Sequence, residues 1–234
     1  MSRTWLSTAL LIPCLIAGCA GTVSGQAVRT PLSTAERPLP DSAELARVVG
    51  LPLERDSAPE AGGIDTLKND KGSQSPMECA GVTHAGYRST YQGAPLRAAA
   101  RGTWMTPQGV DDRVNVVISV VELDSADNAQ TWYRRAAAQW GRCRGITVTD
   151  HTGAVSFIQS IRQVQDSDGE LTAVLSVWTD NGIMAPGVNR RAFIVTSRYF
   201  VDAEVFGILS RPDASSLDAS AVARLVVNKI SQSR

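Results

Sequence analysis

The chain has 234 residues, with 23 Lys and Arg against 23 Asp and Glu, 43% apolar residues and four cysteines. A balanced charge with no basic stripe gives no reason to expect nucleic acid as a partner. The length holds one domain with a sizeable core once a leader is set aside, and excludes two large ones.

Met1 to Thr4 form a short start with Arg3 as the one charge, and Trp5 to Ala17 follow as an uncharged apolar run. This is the layout of a signal peptide. At about 13 residues the run is shorter than the roughly 20 needed to cross a hydrocarbon core. Its end reads Leu15, Ile16, Ala17, Gly18, Cys19, a branched residue and two small ones before a cysteine, as in the lipobox of exported lipoproteins. The alternative is a signal peptide that happens to contain a cysteine. The lipobox reading makes residues 1–18 the signal peptide, residues 19–40 a lipidated N-terminus and flexible tether, and residues 41–234 an extracytoplasmic domain. Acyl chains on Cys19 then make the membrane a partner, with the protein on the extracytoplasmic face of the cell membrane. Losing Arg3 leaves 22 basic against 23 acidic residues, a net charge near −1.

Pro31, Pro38 and Pro40 punctuate a small, polar stretch without period, hence the tether. Asp41, Ser42 and Glu44 precede Leu45, Val48 and Val49 and predict a short helix over 42–49. Residues 54–76 are polar and rich in Gly and Pro, which predicts a long surface loop. Strands are predicted at 96–105 and 114–123, the second with Val114, Val116, Ile118 and Val120 on one face. Asp124 or Ser125 caps a helix running to about Arg142, in which Ala129, Trp132, Tyr133, Ala136, Ala137, Trp140 and Cys143 recur at three- and four-residue steps. Strands follow at 154–165 and 171–178, joined by the Asp168, Gly169 turn, then one long or bent strand at 190–206. A helix over 215–231 ends the chain. Hairpin-length connections give an α+β class: an antiparallel sheet with the helices packed mainly on one face.

With Cys14 removed and Cys19 lipidated, Cys79 and Cys143 remain, and two thiols in an oxidising compartment should pair. Their 64-residue separation implies a stabilisation of about 4 kcal/mol in the chain-entropy model. Two buried free thiols are the alternative. No metal site or cofactor is expected, since there is no Cys-x-x-Cys and the two histidines, His84 and His151, sit on separate segments.

No Gly-x-Ser-x-Gly, Gly-x-x-x-x-Gly-Lys or His-Glu-x-x-His motif is present, so no catalytic residue is assigned and the protein is read as a non-enzyme. His84 beside Asp111 or Asp112 could form a base, but a surface or hydrogen-bonded structural histidine is the simpler account. Trp104, Trp132, Tyr133, Trp140 and Trp178 either line a cleft or fill the core. Arg134, Arg135, Arg142 and Arg144 either bind an anionic group or complement the negative end of their helix. Trp104, Arg134, Arg135 and Trp178 are the candidate ligand-binding residues.

Glu78, Cys79, Ala80 and Gly81, then Trp104 before Val116 to Val121, the Ala129, Trp132, Trp140, Cys143 helix, and Arg191 to Asp202 together resemble the PknH-like extracellular domain family. That family includes the sensor domain of a mycobacterial transmembrane Ser/Thr kinase and related free lipoproteins. The resemblance spans residues 40–230 and implies an antiparallel sheet with flanking helices around a cleft that takes an unidentified ligand. It brings no catalytic residues. The family's sensor domain has a second disulfide near the positions of Val188 to Arg191 and Val205 to Gly207, where this chain has no cysteine. The last hairpin should then rely on Phe193, Val195, Val201 and Val205. No kinase or spanning helix accompanies the domain, so the chain by itself passes no signal inward. The readings are a sensor-type module for a small-molecule or cell-envelope ligand, an envelope module with a protein partner, and, third, an envelope hydrolase.

Overall fold

The structure is a computed structural model that describes residues 34–70, 73–209 and 217–233. The expected signal peptide, Cys19 and the expected tether up to residue 33 lie outside the described residues. The tether's last residues are not loose: Ala35 and Leu39 are buried, because apolar side chains there find a place in the core.

Helix α1 (Ser42–Val49) starts on a capping box, with the Asp41 carboxylate accepting from the Glu44 N–H, and ends at Gly50 in the left-handed conformation. The segment predicted as loop carries three short strands, β1 (Glu54–Arg55), β2 (Glu60–Gly62) and β3 (Gln74–Ser75), too brief for alternation to reveal. After the short helix α2 (Ala80–Thr83) come β4 (Leu96–Met105), β5 (Arg113–Leu123) and helix α3 (Ala126–Cys143). Strand β6 (Thr147–Thr152) was not anticipated, since Val148 is its one buried apolar residue. Strands β7 (Val155–Ser167) and β8 (Glu170–Thr179) follow. The single strand expected at 190–206 is a hairpin, β9 (Gly187–Thr196) and β10 (Tyr199–Ile208), turning at Ser197 with φ 52°. Helix α4 (Ala219–Gln232) is capped by Asp218, whose side chain accepts from Ser220 and Ala221.

All strands join one antiparallel sheet in the order β1-β4-β5-β10-β9-β8-β7-β6-β3, with β2 also on β4. The α+β class and the antiparallel sheet are as expected. The helices, however, divide between the faces instead of lying mainly on one. Helices α1 and α4 pack with Val116, Ile118, Val120, Val201, Ala203 and Val205. Helix α3 covers Val121, Leu123, Leu171, Leu175, Phe193 and Phe200 on the other face. Strands β5 and β10 are apolar at successive positions because both of their faces are covered. Cys79 and Cys143 form a disulfide with Cα atoms 5.7 Å apart, tying the segment before α2 to the last turn of α3.

Candidate ligand-binding cleft

On the α3 face the sheet extends beyond the helix. The bare end is bordered by residues His84 to Tyr87, and between them lies a cavity of about 380 Å³. Its floor comes from the inward positions of β4, β5, β7, β8, β9 and β10, and its far wall from Asp150 and Thr152 of β6.

Alternate positions of two central strands supply the polar groups: Asn189 and Arg191 on β9, Asp202 and Glu204 on β10, with Glu204 directly across from Arg191. Arg191 and Asp202 are buried and ion-paired. Such a pair is tolerable only when its remaining hydrogen-bonding capacity is filled. Here it is: Arg191 donates from Nη1 to the Gly81 and Val82 carbonyls at 3.1 and 2.9 Å, and from Nε to the Ala203 carbonyl at 3.2 Å. Asp202 Oδ2 accepts from the Gly86 N–H at 2.9 Å and the Tyr91 hydroxyl at 2.8 Å. These bonds fasten the 80–91 segment onto the sheet. Gly86 is required there, since φ is +68° and a Cβ would lie 2.0 Å from Ser119 Oγ.

His84 stands at the mouth between two carboxylates. Its Nδ1 is 3.2 Å from Glu204 Oε1, and its Nε2 is 3.3 Å from Asp150 Oδ2 and 2.7 Å from the Gln159 amide. Glu204 also accepts from the Ala85 N–H at 2.8 Å and from Asn189 Nδ2 at 3.0 Å. Burial opposes charge on His84, but the facing carboxylates outweigh it and raise its pKa above the usual histidine value. Burial by itself would raise Glu204; the His84 charge and hydrogen bond, with Arg191 behind them, bring it down to about 2. Asp150 is lowered by the same ring against its own desolvation. Held between Glu204 and Asp150, the imidazole has both ring nitrogens engaged by the protein, and so is poorly placed to take a proton from a bound molecule. Among the described residues no group of three or more His, Cys, Asp or Glu could hold a metal ion.

The model of the PknH-like extracellular domain family matches residues 30–231. The chain belongs to that family. In structure it is similar to the extracellular domain of PknH from Mycobacterium tuberculosis, with a TM-score of 0.69 and 21% identity over 87% of this chain and 98% of that one. At that identity the likeness speaks for the fold alone. A putative uncharacterized protein from Mycobacterium smegmatis gives a TM-score of 0.38 at 12% identity, over 81% of this chain and 93% of that one, too distant to argue from. No curated protein matches the sequence. The family is one of extracellular domains, which points to an extracytoplasmic location for this PknH-like domain.

The residues singled out from the sequence do not gather in the cleft of the PknH-like domain. Trp104 is fully buried on the α1 and α4 side, with the Arg55 guanidinium 4.9 Å above its ring. Trp178 is half-buried on β8, one residue out of phase with Val177, and therefore on the opposite face from the cavity. Arg134 and Arg135 are exposed on α3, the first bonded to Thr131 Oγ1 at 3.1 Å, the second 5.1 Å over the Trp132 ring. Trp140 is core, and Trp132 is half-buried with its Nε1 donating to the Thr90 carbonyl at 3.3 Å. His84 lines the cleft, but its acidic partners are Asp150 and Glu204 instead of Asp111 or Asp112. Asp150, Gln159, Asn189 and Glu204 were missed. The available signal was Asn-x-Arg and Asp-x-Glu at period two inside strands that are otherwise apolar.

Proposed function

We propose that this PknH-like protein is a lipid-anchored, non-enzymatic ligand-binding module of the sensor type, displayed on the extracytoplasmic face of the cell membrane. One observation carries the binding part. Around the cavity, Asn189 Oδ1, Asn115 Oδ1 and Arg101 Nε are each buried and have no hydrogen-bonding partner among the described residues. Leaving such groups unpaired costs about 1 to 3 kcal/mol each, a cost that a ligand with matching donors and acceptors would recover. The volume is at the lower end of ordinary small-molecule sites. A His84 whose two ring nitrogens are both engaged by carboxylates, and the absence of any catalytic motif, favour binding over turnover. Anchoring is supported by the Leu15 to Cys19 lipobox.

Native mass spectrometry of the protein purified from its own envelope tests the binding reading. A discrete mass above that of the acylated chain is expected, and it should vanish in an Asn189→Leu variant that still folds. Uniformly unliganded protein would count against the proposal. For the anchor, Cys19→Ala should abolish incorporation of a fatty-acid analogue and move the protein out of the membrane fraction. Label retained by that variant would refute the lipoprotein reading.

A further inference from the structure

The cavity's carboxylates are fully engaged by the protein, and its cations are not. Glu204 Oε1 accepts from His84 and Asn189, and Oε2 from the Ala85 N–H. Asp150 Oδ2 accepts from His84, from Gln74 Nε2 at 3.3 Å and from the Tyr87 hydroxyl at 3.4 Å. Glu204 thus faces His84 Nδ1 and Asp150 faces His84 Nε2, and each carboxylate meets further donors as well.

Arg101 and Lys68, on the opposite wall, are in a different condition. Arg101 Nε is buried without an acceptor. Its cross-strand neighbour on β2 is Glu60, yet no ion pair joins them among the described residues. The Lys68 ammonium lies over the face of the Tyr87 ring, 5.3 Å from its centroid. Among the described residues neither Arg101 nor Lys68 is ion-paired to a carboxylate. Beside these cations the floor turns apolar, with Phe157, Val177 and Phe206.

Resting on the reading of this cavity as a ligand site, we propose that it takes a small organic anion. The carboxylate or phosphate oxygens meet Arg101 and Lys68, and the carbon body lies on Phe157, Val177 and Phe206. A guanidinium with a free edge matches either oxyanion through charge-assisted hydrogen bonds. The apolar floor favours an anion with a ring or short chain over a bare inorganic ion.

The test uses probes of one shape and three charges. Benzoate, benzamide and benzamidinium are titrated into the full chain in detergent micelles, with phenyl phosphate and inorganic phosphate alongside. Binding is read from the side-chain amide signals of Asn115, Gln159 and Asn189. Benzoate or phenyl phosphate should bind about tenfold more tightly than benzamide, the worth of one charge-assisted hydrogen bond, and benzamidinium more weakly still. Arg101→Gln should erase that preference. Lys68→Gln, a change at an exposed position, should lower anion affinity severalfold and provides the test if Arg101→Gln fails to fold. Whichever of benzoate and phenyl phosphate is preferred identifies the head group, and inorganic phosphate binding as well as phenyl phosphate would overturn the apolar part. Benzamide or benzamidinium binding as well as the anions would overturn the charge assignment while leaving the cavity a ligand site. No probe reaching those amides would overturn this inference, and the native mass measurement would then decide the underlying reading separately.

Discussion

Replacing Glu204 by Gln removes one carboxylate from the His84 clamp while keeping the shape of the side chain. Glu204 has its pKa lowered from 4.5 to about 2 in the folded protein. A depressed carboxylate stabilises the fold above its unfolded pKa, and that stabilisation is lost as pH falls through the folded value. At 1.36 kcal/mol per pKa unit, the full contribution is roughly 3 kcal/mol. It should be nearly complete at pH 6 and down to about 1 kcal/mol at pH 3. The stability gap between wild type and Glu204→Gln should therefore be about 3 kcal/mol at pH 6 and somewhat under half of that at pH 3, since protonated Glu and Gln are near equivalents. Urea denaturation midpoints and slopes measured across this range give the gap directly. His84 contributes in the opposite sense. Its pKa is raised, so its stabilisation is present below the unfolded histidine value and fades as pH climbs through the folded one. Wild type should then lose stability on both sides of a mildly acidic optimum, and the variant should show a shallower acid limb. A gap that stays constant from pH 6 to pH 3 would refute the assignment of this limb to Glu204.

Reduction, or the Cys79→Ser, Cys143→Ser double change, should lower stability by about 2 to 5 kcal/mol, read from denaturant midpoints; equal midpoints would show that the bridge adds nothing. Trp140→Ala should cost about 3 to 5 kcal/mol, because Trp140 is 1% exposed and packs on Phe193. Half-buried Trp132→Ala should cost about 1 to 2 kcal/mol by the same measurement, and reversal of that order would contradict the packing described for α3. Gly86→Ala should destabilise by about 2 kcal/mol or more, from its positive φ and the collision with Ser119. Thermal unfolding within experimental error of wild type would show that the 84–87 segment can shift at little cost.

Elements with a strong period were legible in the sequence. Helix α1 and strand β4 fall on the residues expected, and β5, α3 and β8 within one. The Cys79–Cys143 bridge followed from counting thiols, and its geometry agrees. The elements missed had weak local signals. Strand β6 buries one apolar side chain, and β1, β2 and β3 run for two or three residues as edge pairs whose formation depends on partners distant in sequence. The turn between β9 and β10 uses Ser197 and Arg198, with none of the Gly, Asn, Asp or Pro residues that mark a hairpin. Placement of the helices on two faces was not readable from the order of elements, but the near-continuous apolar run of β5 was a hint that both its sides are covered. The cleft was the least legible part. Aromatic and basic residues drew attention because they are conspicuous singly, whereas the cavity is built from Asn189, Asp202 and Glu204, whose meaning depends on the register of β9 against β10.

Strand β10 is the last in the chain, yet it lies between β5 and β9, pairing Val201 with Val120 on one side and Ile194 on the other. The hairpin β4–β5 and the meander β6 to β9 are built from neighbours in sequence and can form early. The closure of β5 onto β10 spans α3 and four strands, and long-range pairing of this kind comes late and sets the folding rate. Arg101 and Val117 belong to the first unit, and Asp150, Gln159 and Asn189 to the second. Until β10 docks, the two walls of the cavity have nothing to hold them at a common distance. The cavity thus depends on this long-range pairing, and a chain ending after β9 would possess nearly all the wall residues with nothing to hold them together. The strand that joins these two parts of the sheet is also the one that delivers Glu204, so the cavity exists only once β10 is paired with β5.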